Sequence, residues 1–241
     1  MRAWRPALIL MAAGAALGWW MFHHRGAALF ALVGLAVAFG FQMLARHSSR
    51  LAVAIALAGS ALALHSSSTL GWAGTDVPDG SRFKASPVGL SHVLTPDRLE
   101  SETMDCGWYA ASNYPTACDV ADERAFVRLR AVYPLILAAA GLSLAGAAAA
   151  ALRSRRGATA GRLAGGAGLI ALGGLVLFAL SVRPALAPIA DLPVGVGGTL
   201  GTMQLSLALL LCFAAAAPGE FTTEARRGAK VRISDSASTT P

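Results

Sequence analysis

Charged residues are scarce in this 241-residue sequence. Asp, Glu, Lys and Arg make up 14% of the chain, whereas soluble domains contain about 25%. Hydrophobic residues make up 55%, and they form long runs whose interiors contain no charged residue. An ordinary soluble domain is therefore excluded, and the sequence predicts an integral membrane protein in contact with the lipid bilayer.

The absence of charge inside the apolar runs also narrows the function. Transporters coupled to protons or sodium need charged residues deep within a membrane span, and the cores of the apolar runs contain none. The sequence also lacks the H-E-x-x-H zinc motif, the G-x-S-x-G nucleophile elbow and the C-x-x-C redox spacing. These absences favour a non-enzymatic protein, and no motif indicates a cofactor.

The fold class that follows is an all-α integral membrane protein with about six transmembrane helices. The first run is interpreted as a retained helix rather than a signal peptide, because a second apolar run follows it at once. The third is apolar only to residue 64, and it reaches spanning length if the helix continues through His65 and the three serines after it. The predicted spans cover residues 7–22, 27–45, 51–68, 131–152, 163–182 and 197–217.

A polar stretch at residues 74–130 separates helices 1–3 (residues 1–73) from helices 4–6 (residues 131–217). It contains nine of the thirteen acidic residues and two of the three cysteines. We expect a short helix from Thr95 to Met104 within it, and a longer one from Asp119 to Glu123 onward into the fourth span. A disordered, basic cytoplasmic tail is predicted for residues 218–241.

The basic residues predict the orientation. Most Arg and Lys residues cluster at the ends of the apolar runs, which is typical of topology signals and not of a nucleic-acid surface, despite the net charge of +7. With the N-terminus in the cytoplasm, the short outer connections contain only Arg25 and Arg183 as basic residues, and every inner connection contains more. Both termini are therefore predicted to be cytoplasmic, in a bacterial-type inner membrane.

Cys106 and Cys118 have eleven residues between them in the predicted outer loop. Disulfides persist in oxidising compartments, and closing a loop of this size stabilises a fold by about 3 kcal/mol in the chain-entropy model. We interpret the pair as a structural disulfide that clamps an extracytoplasmic subdomain. Trp108, Tyr109 and Tyr114, in or beside the clamped loop, are candidate partner-binding residues, because a clamped aromatic surface is pre-organised. They could equally pack within the subdomain or at the membrane interface.

The leading hypothesis is a structural, assembly or interaction subunit of a membrane complex, with a membrane-protein partner or a second copy of the chain. Two alternatives stay open. A small-solute transporter or channel would need a continuous polar track through Ser60, Ser143 or Gln204, whereas hydrogen bonds between helices would also account for these polar residues. A metal- or haem-linked redox protein would use His23, His24 and His65, all on the outer side in this topology.

The cysteine assignment generates a direct test. We expect an impermeant maleimide, added from the outer side, to label Cys106 and Cys118 only after reduction, because the disulfide protects both sulfurs. Labelling of both as free thiols from the cytoplasmic side would contradict the disulfide and the topology together. Whole cells and inverted vesicles provide the two orientations for the measurement.

Overall fold

Five helices and five short strands make up the part of the chain that the computed structural model describes, which is residues 5–76, 82–93, 102–107, 123–152, 157–186, 195–196 and 199–216. The predicted tail lies outside these residues. Four helices, α1 to α4, are long and apolar enough to cross a membrane, and α5 is a shorter apolar helix. The prediction of a helical membrane protein is therefore confirmed as far as helix length and composition can show it. The elements are α1 (Arg5–His47), α2 (Ser49–Thr69), β1 (Ala73–Asp76), β2 (Arg82–Ala85), β3 (Gly89–Val93), β4 (Glu102–Gly107), α3 (Glu123–Ala151), α4 (Gly157–Leu186), β5 (Gly195–Val196) and α5 (Leu200–Ala216).

Helix α1 is a hairpin of two helical arms. The break lies at His23, whose backbone has φ 56° and ψ −148°. Residues other than glycine rarely adopt this conformation. Glycines let the two arms touch backbone to backbone, since a Cβ at any of them would overlap a carbonyl group of the other arm. Each contacting pair is centred on Phe22, next to the turn, so the arms are antiparallel. The pairs are Gly14 with Phe30, Gly18 with Gly26, and Gly34 with Leu10.

Helix α2 continues through its polar end, as predicted. Ser67 Oγ donates to the carbonyl of Leu64 at 2.8 Å, and Ser68 Oγ donates to that of His65 at 2.6 Å. These bonds within the helix satisfy hydroxyl groups that would otherwise be costly to bury. The helix that contains the apolar run is therefore 21 residues long and ends at Thr69. This length is sufficient to span a membrane.

The polar stretch contains a small antiparallel sheet, which the sequence did not indicate. The strand order is β4-β3-β2-β1-β5. The short helix expected from Thr95 to Met104 is wrong over residues 102–104, which belong to β4, and residues 95–101 lie outside the described part. The physical reason is pairing along β3, in which Glu102 lies opposite Val93 and Met104 opposite Ser91. Backbone pairing of this kind overrides a local capping signal.

The sheet and the α1 turn lie on one side of the helix bundle, called here the sheet side. Ser206 Oγ, near the start of α5, donates to Met21 Sδ beside the turn at 3.5 Å. On the opposite side, the single residue Ser48 connects α1 to α2. The end of α5 also lies on this opposite side, next to the start of α4. The carbonyl oxygen of Ala216 is 3.3 Å from the position that a Cβ would take on Gly161.

The buried side chains form two clusters, one toward each side. The sheet-side cluster is built from large residues, including Trp72, Phe178, Leu64, Ile136 and Leu205. The opposite-side cluster consists mainly of alanines, including Ala52, Ala56, Ala160, Ala164, Ala214 and Ala215. Alanine lets helix backbones approach closely, which favours helix association in lipid, where the hydrophobic effect between helices is weak. The sheet-side half therefore packs through large side chains and the opposite half through close backbone contact.

The α1 turn yields a stability test. His23→Gly should stabilise the protein by about 1 kcal/mol, because glycine adopts the positive φ with little strain. His24→Gly is the matched control: His24 is an exposed, helical neighbour, and glycine there should cost about 1 kcal/mol. Thermal unfolding in detergent measures both. A lower Tm for both variants would contradict the strained turn.

Candidate interaction surface and the polar centre of the bundle

Trp72 joins the sheet to the helices. Its indole Nε1 donates to the carbonyl of Ser67, at the end of α2, and its backbone N–H donates to the carbonyl of Ala85 in β2, each at 2.7 Å. Its ring packs edge-to-face on Phe178 of α4, with centroids 5.2 Å apart. The side chain is fully buried. One residue therefore ties α2, α4 and β2 together, which fixes the sheet on the end of the bundle.

A second attachment runs through β5 and α5. Ala73 and Gly74 of β1 pair with Val196 and Gly195 of β5, a few residues before α5 begins. At Gly201 a Cβ would lie 2.7 Å from both the Gly71 carbonyl oxygen and the Trp72 ring, so only glycine allows this approach. The sheet is thus bonded to the end of one helix and to the segment that leads into another.

The predicted disulfide and partner-binding residues are only partly within the described chain. The backbone of Cys106 is in β4, opposite Leu90 of β3. Cys118, Trp108, Tyr109 and Tyr114 lie outside the described residues, so the disulfide and the aromatic contact surface stay predictions. Within the described chain, β4 has a single strand neighbour, β3, and is the edge strand on its side of the sheet.

Three small polar side chains meet at the centre of the bundle. Ser60 Oγ in α2 lies 3.0 Å from Cys212 Sγ in α5 and donates to the carbonyl of Ala208 at 3.1 Å. Ser143 Oγ in α3 lies 3.7 Å from the same sulfur. Ser60 and Ser143 are fully buried, and Cys212 is nearly so. We call this group the polar seam, because each member lies where the two apolar clusters meet along its helix.

Hydrogen bonding between helices was the expected role of these polar residues, and it is confirmed for Ser60 and Ser143. It also holds for Gln204, whose Oε1 accepts from Ser66 Oγ at 2.7 Å. These groups belong to the sheet-side half and the seam, whereas the side chains described beyond the seam on the opposite side are mainly alanine. The transport hypothesis stays a prediction.

The three candidate histidines are exposed. His23 and His24 lie at the α1 turn, and His65 lies near the end of α2. No group of three or more His, Cys, Asp or Glu side chains that could hold a metal ion occurs within the described ranges. The redox hypothesis gains no support from the geometry of these residues.

Comparison with known proteins adds no family assignment: no family model matches the chain, and no curated protein shows significant similarity to it. The candidate site therefore depends on the chain's own geometry.

Trp72 provides the test of the sheet attachment. Trp72→Phe removes the indole donor, but Ser67 O still accepts from Leu70 N at 3.3 Å, so the expected cost is about 1 kcal/mol. Trp72→Ala also empties a buried site and should cost about 3 to 5 kcal/mol. Trp19→Ala is the control, since Trp19 is exposed. Equal losses for Trp72→Ala and Trp19→Ala, in chemical unfolding, would contradict the role of Trp72.

Proposed function

We propose that the protein is a non-enzymatic structural, assembly or interaction subunit of a bacterial-type inner-membrane complex, and that the sheet forms its contact surface outside the cytoplasm. The attachment of the sheet through Trp72 is the observation that carries this proposal. A sheet held by a buried indole and by two helix-linked strands keeps one orientation relative to the membrane. A surface that is ordered before binding loses less conformational entropy when a partner docks.

The proposed topology has six crossings. The antiparallel arms of α1 supply two, and α2, α3, α4 and α5 supply one each. The α1 hairpin supports this count, because it returns the chain to the side from which it started. The α1 turn, the sheet and the start of α5 all lie on one side of the bundle. Six crossings with both termini on the other side would place these three connections together in this way.

The charges support a cytoplasmic location for the opposite side. Arg46 and Arg50 flank the α1–α2 connection there, and Arg162 lies near the start of α4. Acidic residues within the described chain belong to the strands and to the first residue of α3, all on the sheet side. Among the short connections, the α1 turn on the sheet side contains one arginine, Arg25, whereas two arginines flank the α1–α2 connection, which is the bias expected if the opposite side is cytoplasmic.

The contact surface would include the β4 edge and the residues that follow it. A disulfide from Cys106 would fix the segment with Trp108, Tyr109 and Tyr114 next to that edge. Exposed strand edges and clamped aromatic residues are common ways to bind a protein partner. A second membrane protein, or a second copy of this chain, would supply the complementary surface.

Affinity purification in mild detergent tests the proposal, with partners quantified by mass spectrometry. Trp108→Ala and Cys106→Ser should each reduce the recovery of a specific partner by about tenfold or more, the loss typical of interface hot spots, while the protein still inserts. Trp19→Ala, which changes an exposed aromatic residue of α1, should leave recovery unchanged. Equal recovery with all three variants would overturn the proposal, and bound haem or metal would favour the redox alternative.

A further inference from the structure

We propose that the α1–α2 connection binds the phosphate headgroups of anionic phospholipids. Three exposed basic side chains, Arg46, His47 and Arg50, lie within five residues of one another on the opposite side of the bundle. They form what we call the basic turn. This inference depends on the membrane location of the helices and is independent of the contact function of the sheet.

The basic turn is rigid. Ser48, the single residue between the two helices, donates its N–H to the carbonyl of Leu44 at 3.0 Å and closes α1. Its carbonyl accepts from Ala52 N at 3.0 Å, and its hydroxyl accepts from Leu51 N at 3.2 Å. The backbone that carries the arginines on either side of Ser48 is therefore held in place by these hydrogen bonds, and less entropy is lost when the arginines bind an anion.

The depth of the basic turn matches that of lipid headgroups. Met43, one helical turn before Arg46, is 65% exposed, and Leu51, next to Arg50, is 51% exposed. Large apolar side chains with this exposure on a membrane helix contact acyl chains. The arginines lie where this apolar surface ends, which is the level at which phosphates occur in a bilayer.

Within the described residues, no acidic side chain lies on the same side of the bundle as the basic turn. Asp and Glu residues of the described chain all lie in the strands or at the start of α3, on the sheet side, so none of them can neutralise the basic turn. An arginine guanidinium binds a phosphate through two parallel hydrogen bonds. Anionic lipid attracts each basic residue near the membrane surface by about 1 kcal/mol. A phospholipid phosphate supplies an anion at the depth of the basic turn.

Native mass spectrometry of the full chain, released from bilayers of phosphatidylcholine and phosphatidylglycerol, measures the preference directly. The wild type should retain phosphatidylglycerol in preference to phosphatidylcholine. The double variant Arg46→Gln/Arg50→Gln should lose this enrichment by about fivefold per arginine, which is about 1 kcal/mol each converted to a binding ratio. Arg46→Lys/Arg50→Lys should retain most of it, because the charge is kept.

The matched control is Arg25→Gln/Arg128→Gln, which removes two exposed arginines from the sheet side and should leave the enrichment unchanged. An equal loss in both double variants would show a general charge effect and overturn the proposal. So would unchanged enrichment in Arg46→Gln/Arg50→Gln, or equal displacement of the lipid by inorganic phosphate at matched ionic strength. If the double glutamine variant does not fold, the single variants Arg46→Gln and Arg50→Gln decide the matter, because each should lose about fivefold of the enrichment.

Discussion

The hydrogen bond from the Trp72 indole to the Ser67 carbonyl occurs where lipid-facing helix changes to sheet. A helix that ends near a membrane surface leaves its last carbonyl groups without partners in the helix. Here the indole and the N–H of Leu70 both donate to one of them, and the Trp72 backbone begins pairing with β2 in the same step. The chain thus passes from helix to strand with these groups satisfied, and the position of the whole sheet depends on this residue.

The helices could be predicted well from the sequence, because lipid imposes a simple requirement of about 20 apolar residues. The extension of α2 through Ser67 and Ser68 was also predictable, since serine hydroxyls bond back to helical carbonyls. The sharp turn at His23 was expected between two spans. Its positive φ was not, because nothing in the sequence marks a histidine as the residue that takes a conformation suited to glycine.

The sheet could not be predicted in the same way. Its strands are two to six residues long, and the β1 strand pairs with β5, which lies 122 residues further along the chain, from Ala73 to Gly195. Short strands carry little periodic signal, and pairing over such a separation is set by helix packing. The buried position of Trp72 was likewise not predicted. The polar seam was partly foreseen: helix-to-helix bonding by Ser60 and Ser143 was expected, whereas the place of Cys212 between them was not.

The pairing of β1 with β5 also constrains the order of events during synthesis. When β1 leaves the ribosome, the backbone groups along its β5-facing edge have no partner in the chain made so far. They gain one only after α3 and α4 have been inserted and the segment before α5 has been translated. A nascent chain that stops short of β5 would keep this edge open outside the membrane, where a chaperone or protease could recognise it. Translation of the segment that precedes the last helix is therefore coupled to closure of the sheet.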